Sequence, residues 1–532
     1  MKLSFQDYRD KVMGCWVGKN IGGVLGAPFE GLRQYNDVNF YTQDLSMGPP
    51  PNDDLDLQII WLAAVERYGR QVNASILGDY WLSYVIPNWV EYGMGKANLR
   101  AGLQPPMSGS IDNVYQNSCG CFIRSEIWAC LAPGMPELAT KYAFEDAIVD
   151  HGQEGMYGEV FTAAIQSAAF VESDPQELIR IALSYIPENS KVAAAVQKAV
   201  ECRAQGVPFR KAIGKIHDAA PGTFGVQSVT QAEAEKRSQE MGMSIVGEPG
   251  FDAAENIGYV IAGLLYGEDF GDQICKANAC GEDTDCTAAT LGGLLGIIHG
   301  AAKLPKKWTD PLGDKIATMC IDKTSRGIWV PDTATELADR ILRVAPGFLG
   351  VKGCDLFAEG GYTIDCKEGK DLYCRNAGDY RYQMNGGGGK DHSLSIRELS
   401  LQTPYVIRRE FPAFNMMIDL GGEPFFCQGE ERTFHVEVKN AMEMCQQQWA
   451  KITLYAPDGV EAVGAKSFLL PLNNLWGSRA SADFTIVSRT YDGARLEMLV
   501  DVMLEGRHST GTAKVVLMRK PGCPASLPPA EA

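Results

Sequence analysis

Two acidic clusters, far apart in the chain, carry the residue types best suited to chemistry. One reads Asn52-Asp53-Asp54-Leu55-Asp56, the other Gly281-Glu282-Asp283-Thr284-Asp285-Cys286. Taken singly, each suits a helix start, where acids complement the helix dipole by about 0.3–1 kcal/mol and Asn or Asp makes a good N-cap. Taken together they ask for more. Adjacent aspartates repel, and both clusters run straight into apolar segments. Leu57, Ile59, Ile60 and Leu62 follow the first, and Leu291, Leu294, Leu295 and Ile297 the second. Carboxylates at buried helix starts need a proton or a cation. A hard divalent ion such as Mg²⁺, taking oxygen ligands at about 2.0–2.1 Å, would satisfy them, and two such ions about 3.5–4 Å apart can share one aspartate.

Other side chains offer less. His151, in Asp150-His151-Gly152 ahead of a helix, is a candidate for a substrate hydrogen bond, and Asn117, Ser118 and Gly120 are candidate loop donors to a ligand. Cys119, Cys121, Cys280 and Cys286 lack CxxC spacing and read as small buried thiols rather than a zinc site. His217, His299, His392, His435 and His508 show no partner in sequence. Trp449 and Trp476 read as core aromatics before sugar-stacking platforms.

The elements that must position these residues change character along the chain. Up to about residue 345 the pattern is helical and rich in small residues, with stretches at 8–27, 145–170, 191–204, 253–265 and 287–299. In the first of these Val12, Trp16 and Ile21 sit among glycines that permit close helix packing. Asn52 is an N-cap for a helix through Leu62 and Val65. Without a sustained heptad, this composition suits an orthogonal helical bundle. A last helix begins with Thr333 and Glu336 at capping-box spacing and is expected to end before Ala345-Pro346-Gly347. Beyond it, 433–438, 451–455, 496–504 and 513–518 read as strands, with a Pro457-Asp458-Gly459 turn, which predicts a β-sandwich. The glycine run at 385–389 lacks the Lys-Ser/Thr of a phosphate cradle and is expected to be a hairpin tip. A mainly α domain over 1–345 followed by an all-β sandwich over 350–522 is the expected architecture.

Composition sets the outer limits. A chain of 532 residues is too long for one ordinary core. Its formal charge of −17 argues against a nucleic-acid backbone or anionic lipid as partner. No stretch reaches about 18 apolar residues, so no membrane span is expected. The first residues, MKLSFQDYRDK, show no secretory signal, and the 15 scattered cysteines suit reduced thiols, which gives a cytoplasmic expectation. A homo-oligomer is compatible with the sequence.

The order of these elements resembles the ADP-ribosylglycohydrolase family over roughly the first 310 residues. Gly22-Gly23-Val24-Leu25-Gly26-Ala27-Pro28-Phe29-Glu30 is similar to the family's Gly-Asp-Ala-Leu-Gly-x-Pro-x-Glu element. Asn52-Asp53-Asp54-Leu55 resembles Thr/Ser-Asp-Asp-Thr, and Gly281 to Cys286 resembles Gly-Gly-Asp-x-Asp-Thr. Between them, Gly120 to Arg124 and Asp150-His151 fall where the family has a Gly-rich binding loop and a helix-borne Thr-His. The resemblance implies two Mg²⁺ ions, with Mn²⁺ or another divalent ion as substitutes, held by Asp53, Asp54, Asp283 and Asp285, with Asn52 offering a carbonyl oxygen. The ions would grip vicinal hydroxyls of a ribose-like ring and position a water. Glu30 would be the gating glutamate near the anomeric carbon, and Glu30, Asp54 and Asp283 the catalytic carboxylates beside an oxocarbenium-like state.

Three departures accompany the likeness. Gly23 stands where the family has aspartate, and Leu55 and Cys286 replace the two threonines. A thiol is a poor Mg²⁺ partner, so Cys286 either ceases to ligate or favours a softer ion. Asp56 is a candidate to replace the oxygen lost at Leu55. The function expected is hydrolysis of a ribosyl or other furanosyl glycoside, with a small-molecule or nucleoside-type substrate. Removal of ADP-ribose from protein and a non-catalytic, ligand-binding or structural role are the alternatives.

Overall fold

A computed structural model of the chain describes residues 1–223, 231–243, 250–324, 327–375, 395–441, 447–473 and 478–523. The glycine run at 385–389, His392 and Trp476 lie outside these residues. The chain divides into two compact units. The first comprises Met1–Lys96, Gly109–Cys374 and Ile396–Leu401, and the second gathers Ala97–Ser108 with the strands that follow Gln402.

The helical unit is organised on one close helix pair. Phe5–Gly26 begins at Ser4, whose hydroxyl accepts from the Asp7 N–H, and it packs along Thr284–His299. Glycine recurs every fourth residue on the shared face, at 14, 18, 22 and 26. A Cβ on these four positions would fall 2.2, 2.1, 2.0 and 2.2 Å from the carbonyl oxygens of Gly296, Gly292, Ala288 and Thr284 respectively. Residues four apart share a helix face, so the stripe lets two backbones touch along their length. Antiparallel packing brings the C-terminal end of the first helix to the N-terminal end of the second. The Thr284 hydroxyl fixes the register by donating to the Gly26 carbonyl at 2.8 Å.

Two helical expectations change. The 145–170 stretch is two helices, Pro136–Ala147 and Gln153–Ala168, with Asp150-His151-Gly152 in the break. The helix expected to end before Ala345-Pro346-Gly347, Ala334–Leu349, runs through Pro346 instead, and its N-cap Thr333 accepts from the Glu336 N–H. Proline removes the N–H that would bond Leu342 four residues back. The Tyr362 hydroxyl donates to that freed carbonyl at 2.8 Å. Beside this helix lies a small sheet of β1 (Lys2–Leu3), β2 (Cys354–Asp355) and β3 (Thr363–Asp365), in the order β1-β3-β2.

The second unit is built from β4 (Val406–Glu410), β5 (Phe414–Asp419), β6 (Phe425–Phe426), β7 (Glu431–Asn440), β8 (Gln448–Tyr455), β9 (Val460–Val463), β10 (Ser467–Leu472), β11 (Arg479–Ser488), β12 (Arg495–Leu504) and β13 (Thr510–Arg519). They form two five-stranded sheets, β10-β8-β12-β13-β6 and β4-β5-β7-β11-β9. Alternate residues such as Val436, Val438, Ile452, Leu454, Val500 and Val502 are buried, the two-residue period of a sheet with one covered face. Phe468 of one sheet meets Phe484 of the other at 5.3 Å between ring centroids. Trp449, by contrast, is 46% exposed. Within this unit Arg495 donates to the Ala101 carbonyl at 3.2 Å. Cys427 and Cys523 form a disulfide, against the expectation of reduced thiols throughout. Among the described residues no helix is long and apolar enough to cross a membrane.

Candidate active site

The glycine-packed pair sets where the acids meet. After Gly26 the chain makes one short turn, Ala27–Phe29, and presents Glu30, an exposed residue whose carboxylate reaches inward to within 4.8 Å of Asp283 and Asp285 oxygens. The strand-like segment that follows is clamped to the turn before the second helix: the Gly31 N–H donates to the Glu282 carbonyl at 2.7 Å and the Glu282 N–H to Leu32 at 3.1 Å. Arg33 adds a buried ion pair with the Glu282 side chain. Glu282 itself has φ +63°, a left-handed conformation that is strained for a residue with a Cβ. That turn delivers Asp283 as N-cap and Asp285 in the first turn of Thr284–His299.

The first acidic cluster arrives from the opposite side. The Asn52 side chain accepts from the Asp54 N–H at 2.7 Å and starts the short Asp53–Leu55 turn that leads into Asp56–Tyr68. Asn52 Nδ2 lies 3.5 Å from Asp285 Oδ2, so the capping residue touches both clusters. Two groups of ligating atoms result, each with every atom within 4.8 Å of the others: Asp54, Asp285 and Cys286, and Glu30, Asp283 and Asp285. Asp285 belongs to both. Asp53 stands at the edge of these groups and accepts from the Tyr92 hydroxyl at 3.2 Å.

The electrostatics are those of clustered acids whose mutual repulsion and burial outweigh the nearby counter-charge of Lys19. The neighbouring Asp285 carboxylate, then burial, then Asp53 and Asp54 push the Glu30 carboxyl up to about 9. Burial and Asp285 push Asp53 up to about 6. Burial drives Asp54 well above the usual carboxylate range, against the pull of Lys19, and burial with Asp285 does the same to Asp283. Both Asp54 oxygens and Asp283 Oδ1 are buried with no hydrogen-bond partner. Lys19, fully buried, directs its ammonium to Glu126 Oε1 at 3.2 Å. A cluster of unpartnered buried carboxylate oxygens is what a divalent cation would satisfy, so the residues present fit such an ion.

Neighbouring positions fare differently. Leu55 is buried in the core. Asp56 Oδ2 accepts the N–H groups of Met319 and Cys320, which pins the 319–321 segment, while its buried Oδ1 has no hydrogen-bond partner. A Cβ on Gly23 would lie 2.9 Å from Asn52 Nδ2 and 3.1 Å from Asp54 Oδ2. Cys119, read from sequence as a structural thiol, interacts with Asp283, and burial pushes its thiol well up.

The predicted binding loop is tied down by its own partners. Ser118 Oγ lies 2.8 Å from His151 Nε2, and His151 Nδ1 faces Asp150 Oδ1 at 3.0 Å. The residue types are those of a nucleophile–base–acid relay, but Nδ1 makes no well-aligned hydrogen bond. Moreover, Ser118 is 1% exposed, and Arg124 clamps Asp150 with contacts of 2.6 and 3.2 Å while donating to the Gly120 carbonyl at 2.9 Å. The chain of contacts therefore braces the loop. A Cβ on Gly120 would strike Glu91 Oε1 at 2.0 Å, which explains glycine there. Asn117 is half-buried, accepting from the Glu154 N–H at 3.2 Å and facing Thr223 at 3.4 Å.

Sequence reasoning missed Lys19, Glu126, Glu91, Tyr92 and Arg33. Lys19 left a signal: it is a charged residue inside a glycine-rich helix that must be buried, one turn before Gly23. The others depend on long-range packing and left none.

A solved structure described as an ADP-ribosylglycohydrolase-related protein complex is similar at 16% identity with a TM-score of 0.41, over 65% of this chain and 98% of that chain. No curated protein matches the chain. The family model of ADP-ribosylglycohydrolase matches residues 4–347, most of the chain and all of the site described above. By that match the chain belongs to the ADP-ribosylglycohydrolase family.

Proposed function

We propose that this chain is a metal-dependent hydrolase that cleaves a ribosyl or other furanosyl glycosidic bond in a small-molecule or nucleoside-type substrate. Family membership supports glycosyl-hydrolase chemistry in broad terms. The observation that carries the finer reading is Asp54, buried with both oxygens unpartnered, in a carboxylate cluster joined through Asp285 to Asp283 and Glu30. Asp54, Asp283 and Asp285, with Asp53 and Asn52 at the margin, would hold two Mg²⁺ ions, or Mn²⁺ in their place. When bound, the ions supply Lewis-acid polarisation and the positive charge that lets these acids stay ionised.

The remaining work falls to the chain's own groups. Glu30 is exposed while Asp283 and Asp285 are buried, so it is the carboxylate that meets an incoming ring. Its proposed role is to face the anomeric carbon, gate entry, and stabilise positive charge as the glycosidic bond breaks. Asn117, Ser118 and Gly120 are proposed to line the substrate loop, with His151 holding Ser118 in place through their contact.

Asp283→Ala tests the reading by thermal denaturation with and without Mg²⁺ or Mn²⁺, beside hydrolysis of a furanoside panel. At 100 times Kd a bound ion stabilises the wild type by about 2.7 kcal/mol, and the variant should lose both this response and turnover. An unchanged response to Mg²⁺ and chelator would sink the proposal. Turnover of ADP-ribosylated protein alone would replace the substrate class, and metal binding without any hydrolysis would replace the enzyme by a binding protein.

A further inference from the structure

The two ligand groups that share Asp285 differ in donor chemistry. Glu30, Asp283 and Asp285 offer oxygen only, whereas Asp54, Asp285 and Cys286 add sulfur. We propose that the second group is a sulfur-bearing cation subsite that takes a borderline ion of the zinc or cobalt class, while the oxygen-only group takes a hard ion such as Mg²⁺ or Mn²⁺. This rests on the cation centre proposed above and assigns its two halves different occupants.

Three observations carry it. The ligand atoms of Asp54, Asp285 and Cys286 lie within 4.8 Å of one another, and their residues are 2%, 4% and 8% exposed. Ligands on opposite sides of one ion, at about 2.0–2.3 Å each, stand at most about 4.5 Å apart, so small side-chain movements suffice to close on it. Both Asp54 oxygens are buried with no hydrogen bond and lie in this group, which marks a missing partner. Finally, the hydroxyl or carbonyl donors that a hard ion would want are scarce on this side. Leu55 is apolar and buried, Asp56 commits its Oδ2 to the Met319 and Cys320 N–H groups and does not fall in this ligand group, and Gly23 has no side chain.

Lys19 sharpens the preference. Its ammonium interacts with Asp54 and Cys286 as well as Glu126. A nearby fixed positive charge opposes any second cation, and most of all one held by charge alone. An ion that bonds to polarisable sulfur keeps part of its affinity despite that repulsion. On binding, the Cys286 thiol would release its proton to solvent and ligate as thiolate.

Cobalt(II) titration of the full-length protein tests this, with absorption and calorimetry as readouts. A thiolate-to-cobalt charge-transfer band should appear in the near ultraviolet. Cys286→Ser should abolish it and weaken Co²⁺ binding by at least about 10–100-fold, the loss that follows removal even of outer-shell partners, while Cys119→Ser keeps the band. Co²⁺ binding with no band, or a band that survives Cys286→Ser and vanishes in Cys119→Ser, would overturn the sulfur subsite and leave the cation centre standing. Failure of Co²⁺, Mn²⁺ and Mg²⁺ alike to bind the wild type removes both. Cadmium-113 NMR of the wild-type chain tests the same ligand set without a variant. A resonance shifted downfield, as one sulfur ligand requires, supports the subsite, and an oxygen-only shift refutes it.

Discussion

Replacing Gly22 by alanine puts a methyl carbon 2.0 Å from the Ala288 carbonyl oxygen, where ordinary contact begins near 3.4 Å. The obstacle is backbone on both sides, so no rotamer change relieves it, and the two helices must separate by about 1.4 Å at that rung. Overpacking of this kind costs about 1–3 kcal/mol, here at the upper end because neither partner can turn aside. Alanine's better helix propensity returns about 1 kcal/mol, which leaves a net loss of about 2 kcal/mol. The displacement also reaches the site, because Gly26 and Thr284 are the next rung and lead directly into Glu30 and Asp283. A misplacement of about 1 Å can cost about 100-fold in turnover, and metal affinity should fall with it. Urea denaturation gives the stability change and Mn²⁺ calorimetry the affinity. Gly347→Ala is the control: it lies in the Ala334–Leu349 helix with nothing within 4 Å of its added Cβ, so it should be neutral or slightly stabilising. A Gly22→Ala protein at least as stable as wild type, with unaltered Mn²⁺ affinity, would refute the close-approach account.

Two further outcomes follow from buried charges. Lys19→Met should cost about 3–5 kcal/mol, because it strands Glu126 without its cation. Adding Glu126→Gln should recover much of this, and a double variant no more stable than the single one in urea denaturation would contradict the pairing. The second concerns pH and the His217–Glu255 contact at 2.6 Å. Burial alone would push the His217 imidazole down, but the hydrogen bond and charge of Glu255 outweigh it and raise its pKa above 6.5. Burial pushes Glu255 up, but His217 and Arg33 more than reverse it and hold it below 4.5. Tyr259 and Glu282 also act on the pair. The histidine's contribution is therefore full below about 6.5 and lost as pH rises through its raised value. The glutamate's is full above about 4.5 and lost as pH falls through its lowered value. The pair stabilises most between these limits, and His217→Gln should flatten the decline above pH 6.5. Parallel stability profiles for the two proteins would argue against the pair.

Much of the fold was legible because its signals are local. The glycines at 14, 18, 22 and 26 announce a helix that packs on backbone, and the alternation at 433–438 announces a half-buried strand. The misreadings came where a distant group altered a local rule. Pro346 should have ended its helix, yet the Tyr362 hydroxyl takes the orphaned carbonyl. In the site, the aspartates were visible as paired helix starts; the glycine stripe brings Glu30 to Asp283 and Asp285, while the contact of Asn52 with Asp285 brings in the first cluster. The destination of Asp56 was not visible, because it is set by the backbone of Met319 and Cys320, far along the chain. Likewise His151 looked like a ligand-facing residue, whereas its two ring nitrogens face Ser118 and Asp150.

These particulars bear on why the centre departs from the pattern it resembles. An aspartate at position 23 would begin with a Cβ 3.1 Å from Asp54 Oδ2, adding a negative charge to a group whose oxygens already lack partners. Glycine removes that charge, and Lys19, four residues earlier and so on the same helix face, supplies a positive one. Lys19 acts strongly on Asp54, whereas the leading influences on Asp283 are burial, Asp285, Glu30 and the Cys286 side chain. The anionic field is thus reduced on one side of Asp285 and kept on the other. A symmetric pair of hard ions would want similar fields at both positions, so the asymmetry of charge and the sulfur of Cys286 support the proposed division: the half beside Glu30 would hold the hard cation, and the half beside Lys19 would rely on the thiolate.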